Sequence, residues 1–206
     1  MPIITIHKEL KMLNNLGTSE KTSYIDYYHL EEYLFSNVHN SYHEQGFLNA
    51  TDFFCIIIWK ANRAKSKIAD RLLNNHNDLE SASIFITKKI FELSSSNEKL
   101  EYLMNHCGFR LPMATAILTV LYPQEFTVYD VRVCDTLHYQ NTDFHKLASR
   151  KYSISLWEDY LNFKNQVVDS TPKQLSLRDK DRYLWGKSFS LQLQDNIKRG
   201  FKSERN

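Results

Sequence analysis

The sequence predicts an all-α fold, and three observations carry that expectation. Gly and Pro are scarce, 5 and 4 among 206 residues, too few for the turns of a loop-rich or all-β chain. The long stretches between them repeat apolar residues at helical spacing. Short polar clusters, Asn74-Asn75-His76-Asn77-Asp78 and Ser94-Ser95-Ser96-Asn97, break those stretches as loops do. A chain of this length buries a real core, as one domain or as two closely packed lobes.

The elements follow in order. Ile4 to Leu16 places Ile6, Leu10 and Leu13 on one face, with Gly17 as its stop. Ser23 to Val38 is a tyrosine-rich helix. Asn49 or Thr51 caps an apolar helix running to about Trp59 or Asn62. Its run Phe53-Phe54-Cys55-Ile56-Ile57-Ile58 also fits a buried strand, but the helical periodicity around it favours a central helix. Helices are expected over Lys65–Leu73 and Ser81–Leu93, and another begins at Ser96 or Asn97. Met113 to Tyr122 is a small-residue helix stopped by Pro123. A helix from Asp130 to about Tyr139 precedes a turn at Gln140–Asp143. Ile154–Val168 and Leu177–Leu193 close the fold, and the tail from Lys198 reads as frayed.

Composition excludes several classes. A net charge of +2 from 26 basic and 24 acidic residues is weak evidence for a polyanionic partner, because placement and not the sum decides. Cys55, Cys107 and Cys134 form no CxxC pair, which fits a reduced, cytoplasmic setting, nucleoid-associated in a bacterium. The eight histidines are scattered singly in sequence, so neither a metal nor any other cofactor is expected. The apolar run Phe53 to Trp59 is too short to span a bilayer, and no membrane partner is expected.

Chemistry concentrates between Leu103 and Leu137. An apolar helix breaks at Cys107-Gly108-Phe109-Arg110-Leu111-Pro112, and a second helix starts at once. Glycine at such a break permits left-handed dihedrals and a close backbone approach. The N–H groups at the start of the next helix bind phosphate oxygens well. The same turn also serves as a plain bend between two helices. Further on, Asp130 stands alone at a helix start, where it is both an excellent N-cap and a rigidly held carboxylate.

The segment resembles the helix–hairpin–helix DNA glycosylase superfamily, 8-oxoguanine glycosylase-like members included. In that superfamily a Gly-hydrophobic-Gly hairpin precedes an alanine-bearing helix, and an essential aspartate follows about twenty residues later. Gly108-Phe109-Arg110 stands at the hairpin, Ala114 and Ala116 on the helix, and Val128-Tyr129-Asp130-Val131-Arg132-Val133 at the aspartate. The likeness covers about residues 50 to 140. Arg110 replaces the hairpin's second glycine. Pro112 stands where strand-nicking members carry a Schiff-base lysine, and proline forms no imine.

The resemblance implies a single helical unit over 1–206, organised as a two-lobed bundle. Its central bundle would span about 50–140 and contain a helix–hairpin–helix at 97–122, while helices in 4–48 and 150–197 form or complete the second lobe. The implied activity is that of a monofunctional DNA glycosylase, probing double-stranded DNA as a monomer and excising a modified or mispaired base. Asp130 would stabilise the oxocarbenium-like sugar. Gly108, Phe109, Arg110, Ala114 and Thr115 would hold the DNA backbone.

Base flipping needs flat walls and polar groups. Trp59, Lys60 and Asn62 fall at the elbow where relatives contact the flipped base or the gap it leaves, although Trp59 also reads as core and Asn62 as a helix terminator. Tyr129 either lines the pocket or packs. Arg178 with Asp181 or Arg182 reads as surface ion pairing of little weight, and Tyr183 or Trp185 either lends a ring to the base pocket or, as the preferred reading, packs. Two further readings compete: a DNA clamp without chemistry, with Asp130 plugged, and a helical interaction module whose hairpin is only a bend. Convergence of Arg110, Arg132 and the basic residues near Lys65 on one face would separate the last from the others.

Overall fold

The computed structural model describes residues 24–138 and 143–201, and all regular elements among them are helical. The expected helix at Ile4–Leu16 and most of the turn at Gln140–Asp143 lie outside the described residues. None of the described helices is long and apolar enough to cross a membrane.

The tyrosine-rich segment is a broken helix: α1 (Tyr24–Tyr28), α2 (Leu30–Tyr33), a π-helical turn over Leu34–Val38, and α3 (His39–Gln45). The first break falls at His29, whose φ of −96° and ψ of 51° leave the helical region. Helix continues seven residues past the expected end at Val38 and stops at Gly46, where φ is +78° and the Gly46 N–H donates to the Tyr42 carbonyl.

Helix α4 (Ala50–Ala61) starts at Asn49, whose side chain accepts from the Asp52 N–H at 2.8 Å. Phe53, Cys55, Ile56 and Ile57 bury its inner face, so the apolar run is a core helix and not a strand. A 3-10 turn, Asn62–Ala64, leads into α5 (Lys65–Leu73), and α6 (Leu79–Glu92) begins at its Asp78 cap. Helix α7 (Ser96–Glu101) starts one residue after its cap, Ser95, which forms a reciprocal capping box with Glu98. A π-helical turn, Tyr102–His106, carries the chain to Gly108.

Helix α8 (Leu111–Leu121) is the axis of the fold, with every residue but Pro112 buried. It packs against α3, α4 and α7. Its small residues let neighbours approach, and Thr115 and Thr119 satisfy their hydroxyls on the Leu111 and Thr115 carbonyls at 2.8 and 2.7 Å. The extended stretch Phe126–Asp130 then leads to α9 (Val131–Leu137), a 3-10 helix at Phe144–Ser149, α10 (Ile154–Asp169) and α11 (Leu177–Lys198). Helix α11 lies along α9 and α10, and runs five residues beyond the expected end at Leu193. One hydrophobic cluster runs from Leu34 to Leu184.

Candidate functional site

The site grows from the start of α9. Asp130 is extended (φ −138°, ψ 143°), and its Oδ1 accepts from the Arg132 N–H at 3.0 Å, the N-cap that the sequence predicts. Its Oδ2 accepts from Lys60 Nζ at 2.6 Å, and the same ammonium donates to the Tyr129 carbonyl at 3.3 Å. Lys60 reaches it from the last turn of α4. The pair is partly buried, with side chains 11% and 24% exposed. Two residues 70 positions apart thus meet across the α4–α9 junction.

Asp130 opens onto a cleft of about 320 Å3 whose walls come from four parts of the chain. Trp59 and Lys60 line it from α4, and Val128, Asp130 and Val133 from the strand-like approach and α9. Glu31 closes it from α2, and Arg178, Asp181, Arg182 and Trp185 from α11. Trp185 is 43% exposed and stacks on Phe189 at 5.6 Å, with the Arg132 guanidinium over both rings. The cleft therefore has an indole at each of two walls, the Asp130 carboxylate in its lining and charged groups around them.

The α11 wall is more than surface charge. Asp181 is only 2% exposed; its Oδ2 accepts from the Thr127 hydroxyl and the Val128 N–H at 3.0 and 3.1 Å, while its Oδ1 takes Arg178. Arg178 packs against the neighbouring rings of Phe35 and Trp59, 5.1 and 5.2 Å from their centroids, and reaches Glu31 with its second nitrogen. The expectation of weak surface pairs at Arg178 and Asp181 is thus corrected: the Asp181 side chain is buried and that of Arg178 is only 12% exposed, which the sequence spacing could not show. Burial alone pushes the Glu31 carboxyl up, but Arg178 and Arg182 outweigh it and hold it below the usual carboxylate range.

The hairpin has the backbone that its glycine predicts. Gly108 has a φ of +66°, the Cys107 N–H donates to the Tyr102 carbonyl and the Phe109 N–H to the Leu103 carbonyl. Arg71, which the sequence reading passed over, braces the turn from α5. Its Nη1 donates to the Gly108 carbonyl at 2.7 Å and its guanidinium covers the Phe109 ring at 4.9 Å. Gly108 and Arg110 are exposed at the turn.

Several expected contact residues are placed elsewhere. Phe109 is 3% exposed and packs in the core, so its side chain does not face a ligand. Ala114 and Thr115 are fully buried, and the Ala114 N–H is consumed by the Arg110 carbonyl. Thr115 instead receives the Tyr129 N–H, at 3.0 Å. Tyr129 is 2% exposed with its hydroxyl donating to the Phe144 carbonyl at 2.6 Å; only its backbone carbonyl touches the site. Asn62 sits exposed in the 3-10 turn, bound to Lys65 at 2.6 Å and outside the cleft lining. Of the pocket residues expected from sequence, Trp59 and Lys60 join Asp130.

One convergence escaped the sequence reading. The histidines are single in sequence, yet ligand atoms of His138, Asp143 and His145 lie within 4.8 Å of one another. His145 lies 2.8 Å from Asp135 and 3.2 Å from Asp143, and Lys146 pairs with Asp143 at 3.2 Å, so the carboxylates of the cluster already have protein partners. The cysteines are poor nucleophiles: burial pushes the Cys107 thiol up to about 11 and that of Cys134 up to about 12. A comparison with known proteins finds no family model, no curated protein and no solved structure that matches this chain.

Proposed function

We propose that this chain is a monofunctional DNA N-glycosylase, a two-lobed bundle whose Gly108 turn acts as a helix–hairpin–helix clamp on duplex DNA. The observation that carries the reading is Asp130. It is a rigid, helix-capping carboxylate in the lining of a cleft of about 320 Å3 with indoles in its walls. That combination suits an extrahelical base: flat apolar surfaces to stack it, and a fixed negative charge to face the sugar.

In the reaction proposed, the base leaves the stack and enters the cleft between Trp59 and Trp185. As the C1′–N bond lengthens, positive charge grows on the sugar, and Asp130 stabilises it from a position that needs no reorganisation. Water adds to C1′ and its proton passes to Asp130, while the base departs with the bonding electron pair and takes its proton from solvent. The abasic sugar remains in an intact strand, because Pro112 occupies the place of the family's imine-forming lysine. The Arg132 N–H and the Lys60 ammonium hold the Asp130 carboxylate in place.

At the turn, a left-handed Gly108 exposes backbone for a phosphate, and the exposed Arg110 adds a cation in place of the second glycine. Such contacts would bind a duplex without reading its sequence. A second reading has one observation in its favour: Lys60 Nζ covers Asp130 Oδ2, as a clamp without chemistry would have it.

Single-turnover release of free base from a panel of modified and mismatched duplexes, wild type against Asp130→Asn, decides between them. Release that disappears in the variant and leaves alkali-labile sites without a nick supports the glycosylase. Duplex binding without release by either protein supports the clamp, and neither binding nor release removes both.

A further inference from the structure

His145 holds its ring between two carboxylates. Its Nε2 lies 2.8 Å from Asp135 Oδ1 and its Nδ1 lies 3.2 Å from Asp143 Oδ1. A neutral imidazole carries one N–H, so it satisfies one of these contacts and turns a lone pair toward the other carboxylate. A third group faces the same place: His138, Asp143 and His145 each offer a ligand atom, all within 4.8 Å of one another. These histidines are single in sequence, but the end of α9 and the start of the following 3-10 helix bring them together. His138 is the residue at which α9 ends, and Asp135 lies one turn before it. Asp143 caps the 3-10 helix Phe144–Ser149 by accepting from the His145 N–H.

We propose that His138, Asp143 and His145 bind a divalent metal ion of the zinc class, which clasps the end of α9 to the 3-10 helix. The site is independent of the base-excision reading, and it reverses the expectation, drawn from scattered histidines, that no metal is bound. Two imidazoles and a carboxylate are a donor set that suits Zn²⁺, whereas Mg²⁺ prefers oxygen ligands alone. The geometry needs little adjustment. Ligand atoms about 2.0–2.1 Å from one tetrahedral ion lie roughly 3.3 Å apart, close to the 3.2 Å between His145 Nδ1 and Asp143 Oδ1. His138 has an exposed side chain with which to close the remaining gap. With the ion on Nδ1, the Nε2–H of His145 donates to Asp135, the outer carboxylate that metal-bound histidines regularly carry. The competing cation is Lys146, 3.2 Å from Asp143 Oδ2 on a side chain 80% exposed, and an exposed pair of this kind gives way at little cost. The clasp also bears on the candidate site through Tyr129, whose hydroxyl donates to the Phe144 carbonyl at 2.6 Å.

The test titrates Zn²⁺, and separately Mg²⁺, into the untagged full chain by isothermal calorimetry, with the melting temperature as a parallel readout. The expected result is one Zn²⁺ per chain with a dissociation constant of about 10 µM or tighter, and a higher melting temperature in its presence. His138→Ala and His145→Ala should each lose the Zn²⁺ heat and the Zn²⁺-dependent gain in melting temperature. Asp135→Asn should weaken Zn²⁺ by about ten-fold or more without changing the stoichiometry, and Lys146→Ala should tighten it. Absence of Zn²⁺ binding by the wild type, binding that survives either histidine substitution, or equal binding of Mg²⁺ overturns the proposal. Circular dichroism identifies a histidine variant that has lost its fold. In that case Asp135→Asn and Lys146→Ala decide, and unaltered Zn²⁺ affinity in both overturns the proposal.

Discussion

Lys60 Nζ sits 2.6 Å from Asp130 Oδ2 while the other oxygen of the same carboxylate caps α9 through the Arg132 N–H at 3.0 Å. One carboxylate thus joins α4 to α9 by charge and starts α9 by hydrogen bonding. The two contributions separate by substitution. Asp130→Asn keeps an oxygen for the cap and loses the ion pair, at a cost of about 1–2 kcal/mol for a partly buried charged hydrogen bond. Asp130→Ala loses both and should cost about 1 kcal/mol more, the usual worth of a cap. Urea unfolding of the three proteins checks this; equal midpoints for the two variants would show that the cap contributes nothing.

Much of the frame was legible because short-range chemistry wrote it. Lys65–Leu73 is observed with the expected bounds, Asn49 and Asp130 are the expected caps, and α8 runs from the hairpin to the residues before Pro123. Boundaries slipped where tertiary packing outweighs local signals: α3 extends to Gly46, and the 3-10 helix at Phe144–Ser149 has no periodic pattern to reveal it. The cleft was legible in Trp59, Lys60 and Asp130, and in Trp185 only against a preferred reading of packing. Glu31 and Arg178 are 147 positions apart, and nothing local couples them. Asp181 looked solvated because it lies in a charge-dense helix, whereas its burial follows from how α11 lies on the approach to α9. Phe109 and Tyr129 looked available because each adjoins a residue expected at the site, yet both were taken by the core.

Asp181 should be the least replaceable charge in the cleft. Asp181→Ala takes an acceptor from the Val128 N–H, the Thr127 hydroxyl and the Arg178 guanidinium in a largely buried site. Breaking a buried pair in this way costs about 3–5 kcal/mol, a large share of a typical domain's stability. Thermal melting should show a loss well beyond that of Asp181→Asn, which retains one acceptor oxygen. Comparable melting of wild type and Asp181→Ala would refute this account of α11.

Glu31 makes a pH-dependent link between α2 and α11. Desolvation raises its carboxyl, the two arginines lower it further than that, and the net position is below the usual carboxylate range. A group depressed in the folded state contributes stability that is fully present above its unfolded value and lost as pH falls through its folded value. Acid should therefore release α2 below about pH 4.5, the ordinary glutamate value. Trp59 shares the cleft with Glu31, so its fluorescence reports the release. Glu31→Gln should flatten the acid limb of that signal, and an unchanged limb would locate the transition in other carboxylates.

Gly108 should be replaceable at a modest and purely conformational cost. A Cβ there would meet Arg71 no closer than 3.6 Å, an ordinary contact, so the expense of Gly108→Ala is its φ of +66°, about 1–2 kcal/mol. Stability alone does not reveal whether the turn binds anything. Arg110 does, because it is exposed and its removal leaves the core intact. If the turn holds a phosphate, Arg110→Ala should weaken duplexes of every sequence alike and lower the slope of log K against log salt by about 1. Binding titrations between about 50 and 200 mM salt read that slope directly. A slope that does not change, with affinity intact, would assign the turn to joining α7 and α8 and leave the duplex to be held elsewhere.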